Sequence, residues 1–237
     1  MSLVKQALAR CSRCGHEHEI RIYKSINTAE DADMEARVLN GSVFMWTCPD
    51  CGCRNLVSYE CLYHDPARKR MLWLLPRSKD DTAEMEAIAR HARSLGGYTL
   101  RICPDLGSLI EKILILNAGL NDVAIEICKY VIRGEWAQQA QGNAKQQGPG
   151  DGPAQGADTD PQATPVRPEN ADVPLHFHHS DGDQLIFSYP SNGQMASLTL
   201  GKNVYEDALG ILSRNPSLQP GEGFQRVDAD ALSAVLA

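Results

Sequence analysis

The sequence lacks a long apolar run. No hydrophobic stretch in its 237 residues approaches the length of about 18 to 20 residues that a membrane-spanning helix requires. Residues 1–5 also lack the apolar segment of a signal peptide, so we expect no export. Eight cysteines in a chain without an export signal predict a reducing cytoplasm, where thiols bind metals rather than form disulfides.

The common catalytic motifs are missing as well. The chain has no phosphate-binding glycine loop, no Gly-x-Ser-x-Gly elbow and no His-Glu-x-x-His, and the adjacent Asp80 and Asp81 fit helix capping. The net charge of -7 argues against general attraction to nucleic acid. Catalysis is therefore the less favoured interpretation, and no catalytic or organic-cofactor-binding residue is predicted.

Two Cys-x-x-Cys pairs are the strongest signal in the chain. They are Cys11-Ser12-Arg13-Cys14 and Cys48-Pro49-Asp50-Cys51, and each is followed by a glycine that can adopt a left-handed backbone. Two intervening residues let a tight turn direct both sulfurs at one ion. One pair alone could be a redox dithiol, but a second pair adds nothing to that chemistry. The spacing predicts one structural zinc ion bound by Cys11, Cys14, Cys48 and Cys51.

The segment between the two pairs predicts a zinc ribbon with a helical insertion. Residues 18–23 and 42–47 carry apolar side chains at alternate positions, as strands do. Between them, Thr28 and Asp31 resemble a capping box, and a helical pattern follows until Asn40 and Gly41 end it.

The chain also resembles a known family, the bacterial and archaeal CpXC domain proteins. Cys48-Pro49-Asp50-Cys51 fits the Cys-Pro-x-Cys signature, whereas the first pair has Ser12 in place of the proline. Further similar segments, in order and spacing, are residues 23–27, 39–41, 62–65, 71–76 and 109–122. The resemblance covers most of residues 5–136. It implies a fold and no particular activity, because the family has no assigned function.

The composition predicts three regions. Residues 1–136 form a CpXC-like domain, with the zinc ribbon at 5–76 and a helical region at 78–136. Residues 137–171 are rich in Gln, Gly, Pro, Ala and Asp, which predicts a disordered linker. Residues 172–237 form a small C-terminal α/β element. The fold class is therefore α+β.

Helices and strands outside the ribbon follow from periodicity and turn signals. Helices are predicted at residues 81–95, 105–117, 121–136, 204–212 and 229–236, and a short strand at 98–102. Strands at 185–189 and 194–200 flank Ser191-Asn192-Gly193, which predicts a hairpin.

The other cysteines are expected to bind no metal. Cys53 follows the second pair by one residue, but that pair already completes the pattern, so we expect a bystander thiol. Cys61, Cys103 and Cys128 are expected to be small buried hydrophobic residues.

Several histidines receive a structural interpretation. His16 and His18 are expected to be solvated strand residues, because four thiolates leave a structural site no open position. His64 and Asp65 are adjacent on a strand and point to opposite faces, which argues against a His-Asp pair. His176 and His178 would share a face of a strand, where a second labile metal site stays an open alternative to a solvated strand.

The favoured function is protein interaction, with zinc holding a small scaffold rigid beside a surface for another protein. A nucleic-acid-binding ribbon would need Arg10, Arg13, Arg54, Arg68, Lys69 and Arg70 on one face. A zinc-thiol redox sensor is the third alternative.

The basic turn at residues 68–70 is expected to be solvated, and Trp73 is expected to lie in the core.

Overall fold

A computed structural model describes residues 2–76, 82–146 and 173–236, and within them the protein is a mixed α+β structure. The strands are β1 Leu3–Arg10, β2 Glu17–Asn27, β3 Met45–Thr47, β4 Arg54–Leu56, β5 Cys61–Asp65, β6 Arg70–Leu74, β7 Thr99–Cys103, β8 His176–Asp181, β9 Gln184–Ser191, β10 Gln194–Gly201 and β11 Gln225–Arg226. The helices are α1 Met34–Leu39, α2 Thr82–Leu95, α3 Leu106–Asn117, α4 Asp122–Gln146, α5 Lys202–Arg214 and α6 Ala229–Leu236, with short 3-10 helices at Ser42–Phe44 and Pro216–Leu218.

The chain divides into two compact units. Unit 1 contains Met1–Ile113 and Pro220–Val227, and unit 2 contains Leu114–Gln219 and Asp228–Ala237. Within the described ranges, none of the helices combines the length and the apolarity that crossing a membrane requires.

Unit 1 is built on a six-stranded sheet in the order β1-β2-β5-β6-β7-β11. The pairs β1-β2 and β5-β6 are antiparallel, and the pairs β2-β5, β6-β7 and β7-β11 are parallel. β6 is buried along its whole length, as expected for a central strand covered on both faces. Trp73, at 3% exposure, confirms the prediction that it lies in the core.

The sequence-predicted helical insertion is present but starts later than expected. α1 begins at Met34 after Asp33, so the capping box at Thr28 and Asp31 is wrong. Residues 28–33 instead form turns, and the Thr28 hydroxyl donates to the His64 carbonyl oxygen over 3.5 Å. The predicted strand at 42–47 is also shorter, because its first half is a 3-10 helix.

Unit 2 contains the predicted C-terminal hairpin. β9 and β10 pair antiparallel with Ser191 opposite Gln194, and β8 adds a third strand on the other side of β9. Asn192 and Gly193 both have positive φ angles, of 49° and 74°, which a two-residue hairpin turn requires. The predicted helix at 229–236 is confirmed as α6.

Helix α4 extends further than predicted. It runs to Gln146, past the expected end at Trp136, so the first residues of the predicted linker are helical. Residues 147–172 lie outside the described residues. The division of the chain into a domain at 1–136, a linker at 137–171 and an element at 172–237 therefore stays a prediction.

A buried ion pair joins the end of β5 to the start of β6, and no sequence pattern predicted it. Arg70 was expected to be solvated, but its side chain is 2% exposed, and its Nε and Nη2 atoms lie 3.0 and 2.8 Å from Asp65 Oδ2. Arg68 Nη1 lies 2.9 Å from the same oxygen. Burial raises the pKa of Asp65, but the hydrogen bonds from Arg68 and the charge of Arg70 outweigh it, so the pKa is lowered.

We expect Asp65→Asn to destabilise the fold by about 3 kcal/mol, because it leaves the buried Arg70 charge without its carboxylate. The lowered pKa of Asp65 contributes stability above about pH 4, which is lost as the pH falls through the folded-state pKa. Urea unfolding over a pH series should therefore show a steeper acid loss in the wild type than in the variant. Asp207→Asn, on the exposed face of α5, is the control and should change little.

Candidate metal centre

The two Cys-x-x-Cys turns connect strands of two different hairpins. The first lies between β1 and β2, and the second lies between β3 and β4. Their backbones are alike: Gly15 N donates to Cys11 O over 3.0 Å, and Gly52 N donates to Cys48 O over 2.9 Å. Gly15 and Gly52 have φ angles of +77° and +68°, which L side chains rarely adopt. The glycine after each pair thus has the role that the sequence indicated.

The turns bring four sulfur atoms together. The Sγ atoms of Cys11, Cys14, Cys48 and Cys51 all lie within 4.8 Å of one another. Two close contacts cross between the turns: Cys11 Sγ to Cys51 Sγ and Cys14 Sγ to Cys48 Sγ are both 3.6 Å. These distances are much longer than a disulfide bond of about 2.05 Å, so the four clustered cysteines are thiols and not disulfides.

This arrangement fits a tetrahedral metal ion. Four sulfur atoms at about 2.3 Å from one tetrahedral ion lie about 3.8 Å from one another. The two Sγ–Sγ distances across the turns are close to this value. Cys11 and Cys48 are buried and Cys14 and Cys51 are half-buried, so the donor set is largely closed to solvent. The four cysteines could therefore hold a metal ion, and a closed set of four donors suits a structural site.

Backbone hydrogen bonds, burial and the neighbouring thiols shift the pKa values of Cys11 and Cys51 in opposite directions. Hydrogen bonds from the backbone of Cys14 and Arg13 help to lower the pKa of Cys11 to about 5. A hydrogen bond from the backbone of Cys53 lowers the pKa of Cys51, but burial and the neighbouring thiols outweigh it and raise this pKa to about 12. Four thiolates cannot coexist at this spacing without a cation to balance their charge.

Asn55, on β4, connects the two hairpins, and no local pattern in the sequence marks it. Its Oδ1 accepts from Ser12 N over 2.9 Å and from the Ser12 hydroxyl over 2.8 Å. Its Nδ2 donates to Cys53 O over 3.0 Å and lies 3.6 Å from Cys11 Sγ. The backbone N–H of Ser12 donates to Asn55 Oδ1, and a proline at position 12 would have no N–H to donate. This explains why only the second turn has the Cys-Pro-x-Cys form.

Asp50 makes a second connection outside the sulfur cluster. Its Oδ2 lies 2.5 Å from His16 Nδ1 and 3.0 Å from His18 Nε2. Hydrogen bonding to His16 and then to His18 lowers the pKa of Asp50. His16 is exposed and lies just before β2, and His18 is half-buried and lies within β2. Both histidines therefore contact the second turn through Asp50, a contact that the expectation of solvated strand residues did not include.

The remaining cysteines lie apart from the cluster. Cys53 Sγ contacts Ser12 Oγ at 3.9 Å and the Arg54 carbonyl oxygen at 3.7 Å, and it does not join the four-sulfur group. Cys61, Cys103 and Cys128 are buried, which confirms the prediction made for them.

Among the described residues, the other histidines belong to no group of three or more candidate metal ligands. His64 Nε2 lies 3.1 Å from the Tyr98 hydroxyl, whereas the Asp65 carboxylate accepts a hydrogen bond from Arg70. His64 and Asp65 therefore do not pair with each other. In β8 the register shifts between Phe177 and His179, and His178 Nδ1 lies 2.7 Å from His179 Nδ1. Within the described ranges, His176 and His178 belong to no group of three or more candidate ligands.

The site and the fold define a mixed α+β protein with a potential metal-binding cysteine cluster. The family model of the CpXC proteins matches residues 9–129, a range that includes all four clustered cysteines. The chain belongs to the CpXC family. No curated protein and no solved structure matches the chain.

Asn55→Ala should destabilise unit 1 by about 2 to 4 kcal/mol, because it removes several partly buried hydrogen bonds and leaves Ser12 N without its acceptor. Chemical unfolding followed by circular dichroism measures the change. Asn203→Ala, at an exposed position of α5, is the matched control. Equal stability of the two variants would contradict the connecting role of Asn55.

Proposed function

We propose that this protein is a metal-stabilised interaction module, in which Cys11, Cys14, Cys48 and Cys51 bind one structural zinc ion. The observation that supports this proposal is the four-sulfur cluster with its two contacts of 3.6 Å between the turns. Four donors from the protein leave no open coordination position, so the ion contributes folding free energy rather than reactivity.

The metal is proposed to be zinc because a tetrahedral all-thiolate set is typical of structural zinc sites. Iron is the competitor, since the same donors suit it and an iron site of this kind would colour the protein red. A colourless preparation with stoichiometric zinc distinguishes the two metals.

The surrounding architecture is proposed to be a zinc ribbon with a helical insertion. Two hairpins, β1-β2 and β3-β4, each carry one Cys-x-x-Cys turn, and α1 lies in the segment between them. The first hairpin also continues into the six-stranded sheet. The ion would thus fix a small hairpin to a larger scaffold, which presents a surface to a partner protein. The cysteine usage supports the expectation of a reducing, cytoplasmic compartment.

The nucleic-acid alternative has less support from the described residues. It requires six basic side chains on one face, but Arg70 is buried against Asp65. Arg68 Nη1 lies 2.8 Å from Glu35 Oε2, and Arg10 Nε donates to the Gly15 carbonyl oxygen. Three of the arginines that phosphate binding would require thus already contact groups of the protein itself.

Replacing one clustered cysteine should remove the metal. Cys14→Ser and Cys48→Ser change one ligand in each turn, and we expect zinc content, measured by plasma mass spectrometry, to fall well below one ion per chain. We also expect strong destabilisation of residues 1–76 in hydrogen exchange, because metal-binding energy is folding energy in so small a module.

Cys53→Ser is the matched control, because Cys53 lies beside the second turn but outside the cluster. It should keep full zinc content and wild-type stability. Full zinc content in Cys14→Ser or Cys48→Ser would overturn the proposed site, since a tetrathiolate cannot lose a ligand from either turn without cost.

A further inference from the structure

A groove runs beside the candidate metal centre in unit 1. It has a volume of about 470 Å³, within the range of ligand-binding pockets. One wall consists of β2 residues from His18 to Tyr23, and the other consists of residues between Ser42 and Pro49. The second wall leads directly into the second Cys-x-x-Cys turn.

The β2 wall is the open edge of a strand. Residues 17–25 of β2 pair with β1 on one side, whereas pairing with β5 on the other side begins only at Ser25. Consecutive residues 18–21 all line the groove, so the groove follows the edge of the strand rather than one of its faces. Within the described residues, the main chain of residues 18–22 has no strand partner on the groove side. Such an edge can pair with an added strand.

Two arginines provide the charge of the groove. The Cζ atoms of Arg21 and Arg37 lie 5.5 and 5.9 Å from the centre of the Tyr23 ring. Among the described residues, neither guanidinium forms one of the observed ion pairs, in contrast to Arg68 and Arg70. Glu19 is the one carboxylate among the lining residues, in a chain whose net charge is -7. A guanidinium held in place without an anion suits a carboxylate of a ligand.

The aromatic rings of the groove are already in contact with other groups. Tyr23 is buried, with both guanidiniums near its ring, and the Trp46 ring packs against His18 with centroids 5.9 Å apart. Single-stranded nucleic acid binds largely by stacking bases on free aromatic faces. Since these rings offer little free face, the groove favours a peptide over a nucleic acid.

We infer that this groove binds an extended acidic segment of a partner protein, which adds a strand to the open edge of β2 and places its carboxylates on Arg21 and Arg37. Main-chain hydrogen bonds to residues 18–22 supply affinity, and the two arginines supply the preference for acidic side chains. This inference rests on the proposed interaction function and names the chemistry of its partner.

The metal centre supports the second wall of the groove. Thr47 and Pro49 line the groove on either side of Cys48, whose sulfur belongs to the cluster. Loss of the metal would release the turn that holds this wall. Binding of the acidic segment should therefore weaken when the metal is removed.

The test uses the full, metal-loaded chain and a phage-displayed library of random peptides of strand length. We expect the selected peptides to be rich in Asp and Glu and poor in Pro, which cannot donate to a strand ladder. Isothermal titration of a selected peptide should show a loss of affinity of about tenfold or more in Arg21→Glu/Arg37→Glu. N-methylation of alternate peptide amides should cause a similar loss, because it removes ladder hydrogen bonds.

Arg54→Glu is the charge-matched control, because Arg54 is exposed on β4 and does not line the groove. It should leave the affinity unchanged. If the double variant does not fold, the single Arg21→Glu replaces it, since Arg21 is exposed.

Four results would overturn the inference: no enrichment of acidic peptides, equal binding by the arginine variant, no effect of N-methylation, or displacement of the peptide by oligo-thymidylate. A chain that carries zinc but selects no acidic peptide rejects the groove and leaves the metal module intact. A chain that binds acidic peptides equally well with and without metal rejects the support of the groove wall by the metal and leaves the groove itself intact.

Discussion

Four sulfur atoms from two separate hairpins lie within 4.8 Å of one another, and an ion bound between them would join the two hairpins in the N-terminal part of unit 1. Among the described residues, Ala9, Ile20 and Ile22 of the β1-β2 hairpin form a small buried cluster. Trp46, Val57 and Tyr59 pack against these three residues and are only partly buried. A bound ion would add its binding free energy to this small apolar cluster and so help to hold the hairpins together.

Polar contacts around the cluster act in the same direction. Asn55 connects the second hairpin to Ser12 of the first turn, and Asp50 connects the second turn to His16 and His18. Both connections join the same two hairpins as the sulfur contacts. If the four cysteines bind an ion, Asn55 and Asp50 would orient the turns that carry them, as groups around metal centres commonly do. The open edge of β2 lies beside these contacts, and the proposed interaction groove runs along it.

Short sequence motifs predicted the tight turns, because the residues within each turn determine its backbone conformation. The cysteine spacing and the following glycines predicted the two turns, and Asn192-Gly193 predicted the hairpin between β9 and β10. Features that depend on tertiary contacts were not predicted. Strand β1 was missed because it has little apolar alternation and Leu8 is 72% exposed. The burial of Arg70 depends on Asp65, and the role of Asn55 depends on a partner far away in sequence. Membership of the CpXC family, by contrast, was recognised from the motifs and is confirmed.

X-ray absorption at the zinc edge of the purified, full-length protein tests the central claim most directly. The account predicts a first shell of four sulfur atoms at about 2.3 Å, since each turn contributes two thiolates to one ion. A first shell with nitrogen or oxygen atoms in place of sulfur, as from His16, His18 or Asp50, would contradict it. So would a spectrum with two sulfurs per ion, because each turn would then bind its own metal and the hairpins would not be joined.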